Sequence, residues 1–156
     1  MTGIDRIRDG LAAAEAAGAR ANTPLHLALL AEALAFAGKI EEGLAALDDA
    51  LTTAAASGLR GWDAEIHRLR GELISRLPHP DPAKAEDSFR TALKIAREQG
   101  TRGYELRAAT SLARLWLKQG RRDEARDLLA PLYGWFTEGF GTADLKEARR
   151  LLDELA

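Results

Sequence analysis

The sequence predicts an all-α protein of antiparallel helix pairs stacked into a solenoid, about eight helices with a repeat of roughly 40 residues. Three observations carry that expectation. The chain holds 31 Ala and 25 Leu against 6 Ile and no Val. Ala and Leu are among the best helix formers, whereas strands draw on β-branched and aromatic residues. A helix stop also recurs: Gly-x-Arg stands at Gly18–Arg20, Gly58–Arg60 and Gly100–Arg102, with the glycines 40 and then 42 residues apart. Glycine closes a helix by adopting the left-handed conformation, and a nearby basic residue suits the last carbonyls. Finally, the segments before the stops align as small-x3-large-x2-small-large: Gly3, Ile7, Gly10, Leu11; Gly43, Leu47, Ala50, Leu51; Ala85, Phe89, Ala92, Leu93. A looser copy is Ala125, Leu129, Leu132, Tyr133. This is an amphipathic helix whose small residues let a neighbour come close.

Taken in order, residues 3–18 form an unpaired second-type helix, half a repeat. Helices at 24–37 and 40–57 make the repeat 24–58, opened by Pro24, whose missing N–H is harmless at a helix start. Helices at 61–77 and 80–99 make the repeat 61–100. There the run from Pro78 to Pro82 replaces a glycine turn and lengthens the unit by two residues. Helices at 103–119 and 121–136 make the repeat 103–136. A capping helix at 143–155 follows, with Thr142 as N-cap and Asp144 complementing the dipole. Lys146, Glu147, Arg149, Arg150, Asp153 and Glu154 give it the polar outer face that a terminal repeat requires. The segments after the stops align as well: Leu30, Ala31, Leu34 and Gly38 with Leu112, Ala113, Trp116 and Gly120. The whole of 1–156 is expected to be one domain.

These spacings resemble the tetratricopeptide repeat, over essentially the whole chain, with 40 to 42 residues in place of that family's 34. The closing proline of that repeat is absent, which bears on superhelical curvature. Residues 107–116 (RAATSLARLW), 133–140 (YGWFTEGF), 144–148 (DLKEA) and 65–73 (EIHRLRGEL) are more specific. They resemble the C-terminal repeat region of bacterial multidomain adenylate cyclase and STAND-type ATPase signalling proteins. The resemblance implies a sensor or regulatory tail and transfers no catalytic residue.

Composition narrows the function classes. A net charge of -2 offers no footprint for nucleic acid, which usually selects a clearly basic domain. With no cysteine, disulfides, thiolate nucleophiles and zinc-thiolate sites are impossible. No apolar run is long enough for a membrane span, and Met1–Gly10 carries Asp5, Arg6, Arg8 and Asp9, unlike a signal peptide. A cytoplasmic location is expected. No Gly-x4-Gly-Lys-Ser/Thr loop is present to cradle phosphates. His26, His67 and His79 form no metal-binding spacing, so neither metal nor cofactor is expected. Glu65 with Glu72 and Asp48 with Asp49 read as solvated helix faces, and no enzymatic activity is expected. Trp135, Phe136 and Phe140 are expected to bury themselves beneath the folded-back last helix.

The candidate binding residues are those that the tetratricopeptide resemblance places on the concave groove. They are Glu32 from the first pair; Glu65, Arg68, Glu72 and Ser75 from the second; and Arg107, Thr110, Arg114 and Lys118 from the third. The last four recur at i, i+3, i+7 and i+11, one helical stripe. Its three cations could grip carboxylates, which points to a protein or peptide partner, an acidic one suiting them best. An ordinary solvated face neutralised by nearby glutamates is the competing reading. Two functions therefore stand: an interaction or scaffold module, and a small-molecule sensor that relays ligand binding to an output domain. The segment 25–37 is apolar nearly all round, so the half-repeat at the N-terminus is expected to leave apolar surface that a second copy could cover, as a dimer through residues 3–37.

Overall fold

A computed structural model of the protein describes residues 2–156. Among them are eight α-helices and no strand: α1 (Gly3–Ala16), α2 (Thr23–Phe36), α3 (Ile40–Ser57), α4 (Asp63–Ser75), α5 (Pro82–Gln99), α6 (Arg102–Lys118), α7 (Arg122–Trp135) and α8 (Ala143–Leu155). Every expected helix is present, with ends displaced by no more than two residues, the scale on which terminal turns fray. No helix among the described residues is long and apolar enough to cross a membrane.

The starts and stops have identifiable chemistry. Thr2 and Asp5 form a reciprocal capping box on α1, the Thr2 hydroxyl accepting from the Asp5 N–H at 3.2 Å and the Asp5 carboxylate from the Thr2 N–H at 2.8 Å. Asp81 caps α5 by accepting the Lys84 N–H at 3.1 Å, with Pro82 in the first turn. Thr142 does stand at the N-cap of α8 in extended backbone, but its hydroxyl makes no capping bond, contrary to expectation. At the recurrent stop, Gly58 and Gly100 take φ of 72° and 67°, where a Cβ would be strained. The basic residue after each glycine does something other than meet carbonyls. Arg60 reaches forward to Asp63 at 2.7 Å and Arg102 to Glu105 at 2.8 Å, tying each stop to a buried acid in the first turn of the next helix.

Consecutive helices pack on one another, and α2 on α4, α4 on α6 and α6 on α8 as well. The small positions of the repeat are where they touch: Ala50, Ala85, Ala92 and Ala125 have no exposed surface. At Gly71 a Cβ would lie 2.5 Å from the Phe89 ring, so α4 and α5 approach closely only because that side chain is missing. Two core clusters result, one around α2–α4 and one around α5–α8, joined by Leu44, which packs against both.

The C-terminal aromatics depart from expectation. Trp135 is 57% exposed and Phe140 46%, and only Phe136 is half-buried. Leu145, Ala148, Leu151 and Leu155, rather than the rings, fill the contact between α8 and the preceding helices. The displaced rings cluster instead with their neighbours. Tyr133 and Phe140 centroids are 5.8 Å apart, and the Arg102 guanidinium stands 5.2 Å over Trp135.

Candidate functional site

Helices α4, α6 and α8 bring charges of alternating sign together in two rungs. In the first, Arg107 of α6 forms an ion pair with Glu65 of α4 at 2.8 Å and faces Asp144 of α8 at 3.5 Å. In the second, Arg114 lies 3.5 Å from Glu72 of α4 and 2.5 Å from Glu147 of α8, which Arg150 also holds at 2.7 Å. Between the rungs sits Arg68, its side chain only 12% exposed. Its guanidinium grips both oxygens of Glu65, at 2.7 and 2.9 Å, and touches Glu72 and the Ser111 hydroxyl at 3.5 and 3.4 Å. Ser111 in turn donates to Glu72 at 2.6 Å.

This geometry follows from the helical period. Positions 65, 68 and 72 share one stripe of α4, and 107, 111 and 114 one stripe of α6, each spanning two turns. Burial works against the charge of Arg68. The hydrogen bonds that Arg68 donates to Glu65, with the fields of Glu65, Glu72 and Glu32, outweigh it and hold the pKa above the usual arginine value. Glu147 is held below the ordinary glutamate value, first by its hydrogen bond to Arg150, against burial, and then by Arg114.

Arg68, Arg107, Thr110, Ser111, Arg114, Asp144 and Glu147 line a cleft of about 100 Å³. Of the nine expected site residues, Glu65, Arg68, Glu72, Arg107 and Arg114 thus join one ion-pair network. Thr110 lines the cleft, but its hydroxyl is spent on the Leu106 carbonyl at 2.8 Å. Ser75 likewise bonds the Gly71 carbonyl at 2.9 Å. Lys118 is exposed at the far end of α6 and pairs with no described carboxylate. Glu32 is exposed on α2, beside a second recess.

That second recess, of about 150 Å³, is lined by Leu25, Ala28, Leu29 and Glu32 of α2 with Trp62, Glu65, Ile66, Leu69, Tyr104 and Arg107. Trp62 and Tyr104 come from equivalent places in successive repeats, Arg-Gly-Trp-Asp and Arg-Gly-Tyr-Glu, and their rings lie 6.3 Å apart. Sequence reasoning missed this recess, and missed Ser111, Asp144, Glu147 and Arg150. The Arg-Gly-aromatic-acid echo was available as a signal. On α8, Asp144 was legible only as a complement to the helix dipole, and Glu147 and Arg150 only as part of a polar outer face, because nothing in one helix says which turn of a distant one it meets.

Each guanidinium carries five N–H donors. Arg107 and Arg114 are 32% and 35% exposed, and each spends part of its donor set on the rung acids. An incoming carboxylate can use the remainder, although the neighbouring acids dilute the attraction.

No family model matches the chain. An uncharacterized protein of Rhizobium meliloti (strain 1021) is 34% identical over 120 residues. The match takes in 77% of this chain but only 12% of that protein, so the chain spans about an eighth of its relative's length.

Proposed function

We propose that the chain is a non-catalytic protein-interaction or scaffold module, a tetratricopeptide-like solenoid of antiparallel helix pairs whose concave groove docks an acidic peptide or a neighbouring domain. Packing of α2 on α4, α4 on α6 and α6 on α8, with a helix stop repeated every 40 to 42 residues, supports the solenoid. One observation carries the docking reading: half-exposed Arg107 and Arg114 line a single cleft and retain free donors. The match to a short stretch of a much longer protein is consistent with a module inside a larger protein; the resemblance of residues 107–116 and 133–140 to bacterial signalling proteins is what suggests a cytoplasmic regulatory tail there.

Both arginines are paired, so neutralisation tests the groove more cleanly than charge reversal, which would set three acids together. A fluorescently labelled hexaglutamate peptide should bind the native chain at low salt and release as salt rises. The variant carrying Arg107→Gln and Arg114→Gln should lose that binding. Affinity indifferent to both substitutions would refute the groove assignment.

A second reading, a small-molecule sensor, is favoured by a cleft of about 620 Å³ between α6 and the α7–α8 connection. Trp135, Phe136, Leu106 and Leu145 line it, with Glu138 and Asp144 as polar groups, the apolar-with-few-polar composition of ligand sites. A ligand that raises the melting temperature of the native chain but not of Trp135→Ala would support it. We also propose that a second copy can associate through residues 3–37, where Phe36 is exposed. Light scattering over a wide concentration range should then show dimer giving way to monomer on dilution.

A further inference from the structure

We infer that the groove's partner is a short peptide segment in which a large apolar residue stands within two positions of an aspartate or glutamate. The inference rests on the acidic-peptide reading above and adds an apolar anchor to it.

The aromatic recess and the arginine cleft form one surface, since Arg107 lines both and Glu65 of the recess is bonded to Arg68 and Arg107 of the cleft. A carboxylate seated on Arg107 therefore lies at the rim of the recess. Successive residues of an extended chain advance by about 3.3 Å, so a side chain one or two positions away reaches the recess and a more distant one overshoots it.

The recess suits an apolar occupant. Leu25, Leu29, Ile66 and Leu69 supply aliphatic walls, and the Trp62–Tyr104 pair an aromatic one. Leu29 is 46% exposed, so it has apolar area still to bury, whereas Ile66 and Leu69 form a floor already closed. The cluster is well placed for a hot spot, because an apolar anchor surrounded by a polar rim excludes water from the ion pair beside it. That exclusion also compensates for the diluted charge of Arg107: a carboxylate–guanidinium contact gains strength as water leaves it.

The lining acids set the polarity of the partner. Glu65 is committed to two arginines, and Glu32 stands exposed on the α2 side with no ion pair to a described residue. A partner's carboxylate is therefore repelled from the α2 wall and drawn toward Arg107 and Arg114. Its apolar residue occupies the α2 side and its acid the α6 side.

Selection of a random peptide display library on the intact chain tests this. The enriched peptides should share a Leu, Phe or Trp within two positions of Asp or Glu. Synthetic copies should lose about tenfold or more in affinity on Leu29→Ala, the scale of a hot-spot truncation, and regain most of it with Leu29→Met. Arg107→Gln should weaken them too and flatten their salt dependence, which Leu29→Met should leave intact. Circular dichroism of each variant checks the fold, and half-exposed Leu29 makes its loss improbable. Acidic peptides without the anchor, or an affinity that Leu29→Ala changes less than twofold, would overturn the inference while leaving the acidic groove standing. Enrichment of non-acidic peptides, or of none, would overturn both.

Discussion

The two ends of the helix stack solve the same problem differently. Helix α8 closes the C-terminal edge: Leu145, Ala148, Leu151 and Leu155 are buried against α6 and α7, and Lys146, Arg149, Arg150 and Asp153 face out. It is also tied electrostatically, through Arg114–Glu147 and through Arg122, which donates to the Glu154 carbonyl. Helix α1 at the other edge buries no residue at all. Ile4, Ile7 and Leu11 are half-buried against α2 and its neighbours, and one exposed ion pair, Arg8–Glu42, reaches α3. On α2, Leu29 is 46% and Phe36 93% exposed. A helix without a filled apolar face is held weakly whatever its own propensity, since tertiary burial provides most helix stability in proteins. The last helix is packed on a filled apolar face, whereas the first is not, and apolar side chains of α2 stay exposed.

Truncating one leucine at each edge offers the largest contrast. Leu151→Ala should destabilise by about 2–5 kcal/mol, the cost of a buried leucine cavity, and Leu11→Ala by about 1 kcal/mol or less. Urea midpoints measure both, and equal losses would mean that α1 packs as firmly as α8.

Adding a methyl group should give opposite signs in the two settings. Gly71→Ala drives a Cβ into the Phe89 ring and should cost about 1–3 kcal/mol, as overpacking does. At Gly10 nothing lies within 4 Å, so Gly10→Ala should stabilise α1 by about 0.5–1 kcal/mol through helix propensity. A stabilising Gly71→Ala would show that α4 and α5 can separate at no cost.

Protons give the smallest contrast. Arg150 and Lys39 are the first causes that hold Glu147 and Glu42, respectively, below the ordinary glutamate pKa. A carboxylate depressed in the folded state stabilises it above the unfolded value, about 4.3, and loses that contribution as pH falls through the lower folded value. Glu147→Gln should therefore blunt the acid-side fall in melting temperature, and Glu42→Gln should do so less, because the Glu42 side chain is 48% exposed against 33% for Glu147. Identical acid profiles for the two variants would erase the distinction between the edges.

Much of this was legible in the chain. Ala50, Ala85 and Ala92 were marked as small contact positions by spacing alone, and all three are fully buried. Gly58 and Gly100 were marked as stops, and both are left-handed. Such features are local: a Cβ that does not fit, or a helix that must end, is decided within a few residues. The stripe on α6 was legible too, but its meaning was not. The spacing 107, 110, 114 singled out Thr110, whereas the residue that completes the network is Ser111, one position on and still on the same face.

By itself the sequence determined that the chain is helical, where the helices begin and end, and which small residues let them touch, because these depend on backbone propensity and side-chain volume. Only the tertiary structure decided that Arg107 and Arg114 are shared between acids of two helices, that Arg68 is nearly buried, and that Trp135 is left outside. Those outcomes depend on where α8 settles against α6, a contact between residues some 33 positions apart, as Arg114 and Glu147 are. No local pattern encodes such a distance. Packing of four apolar residues of α8 fixes it, and the charges take the partners that this packing leaves within reach.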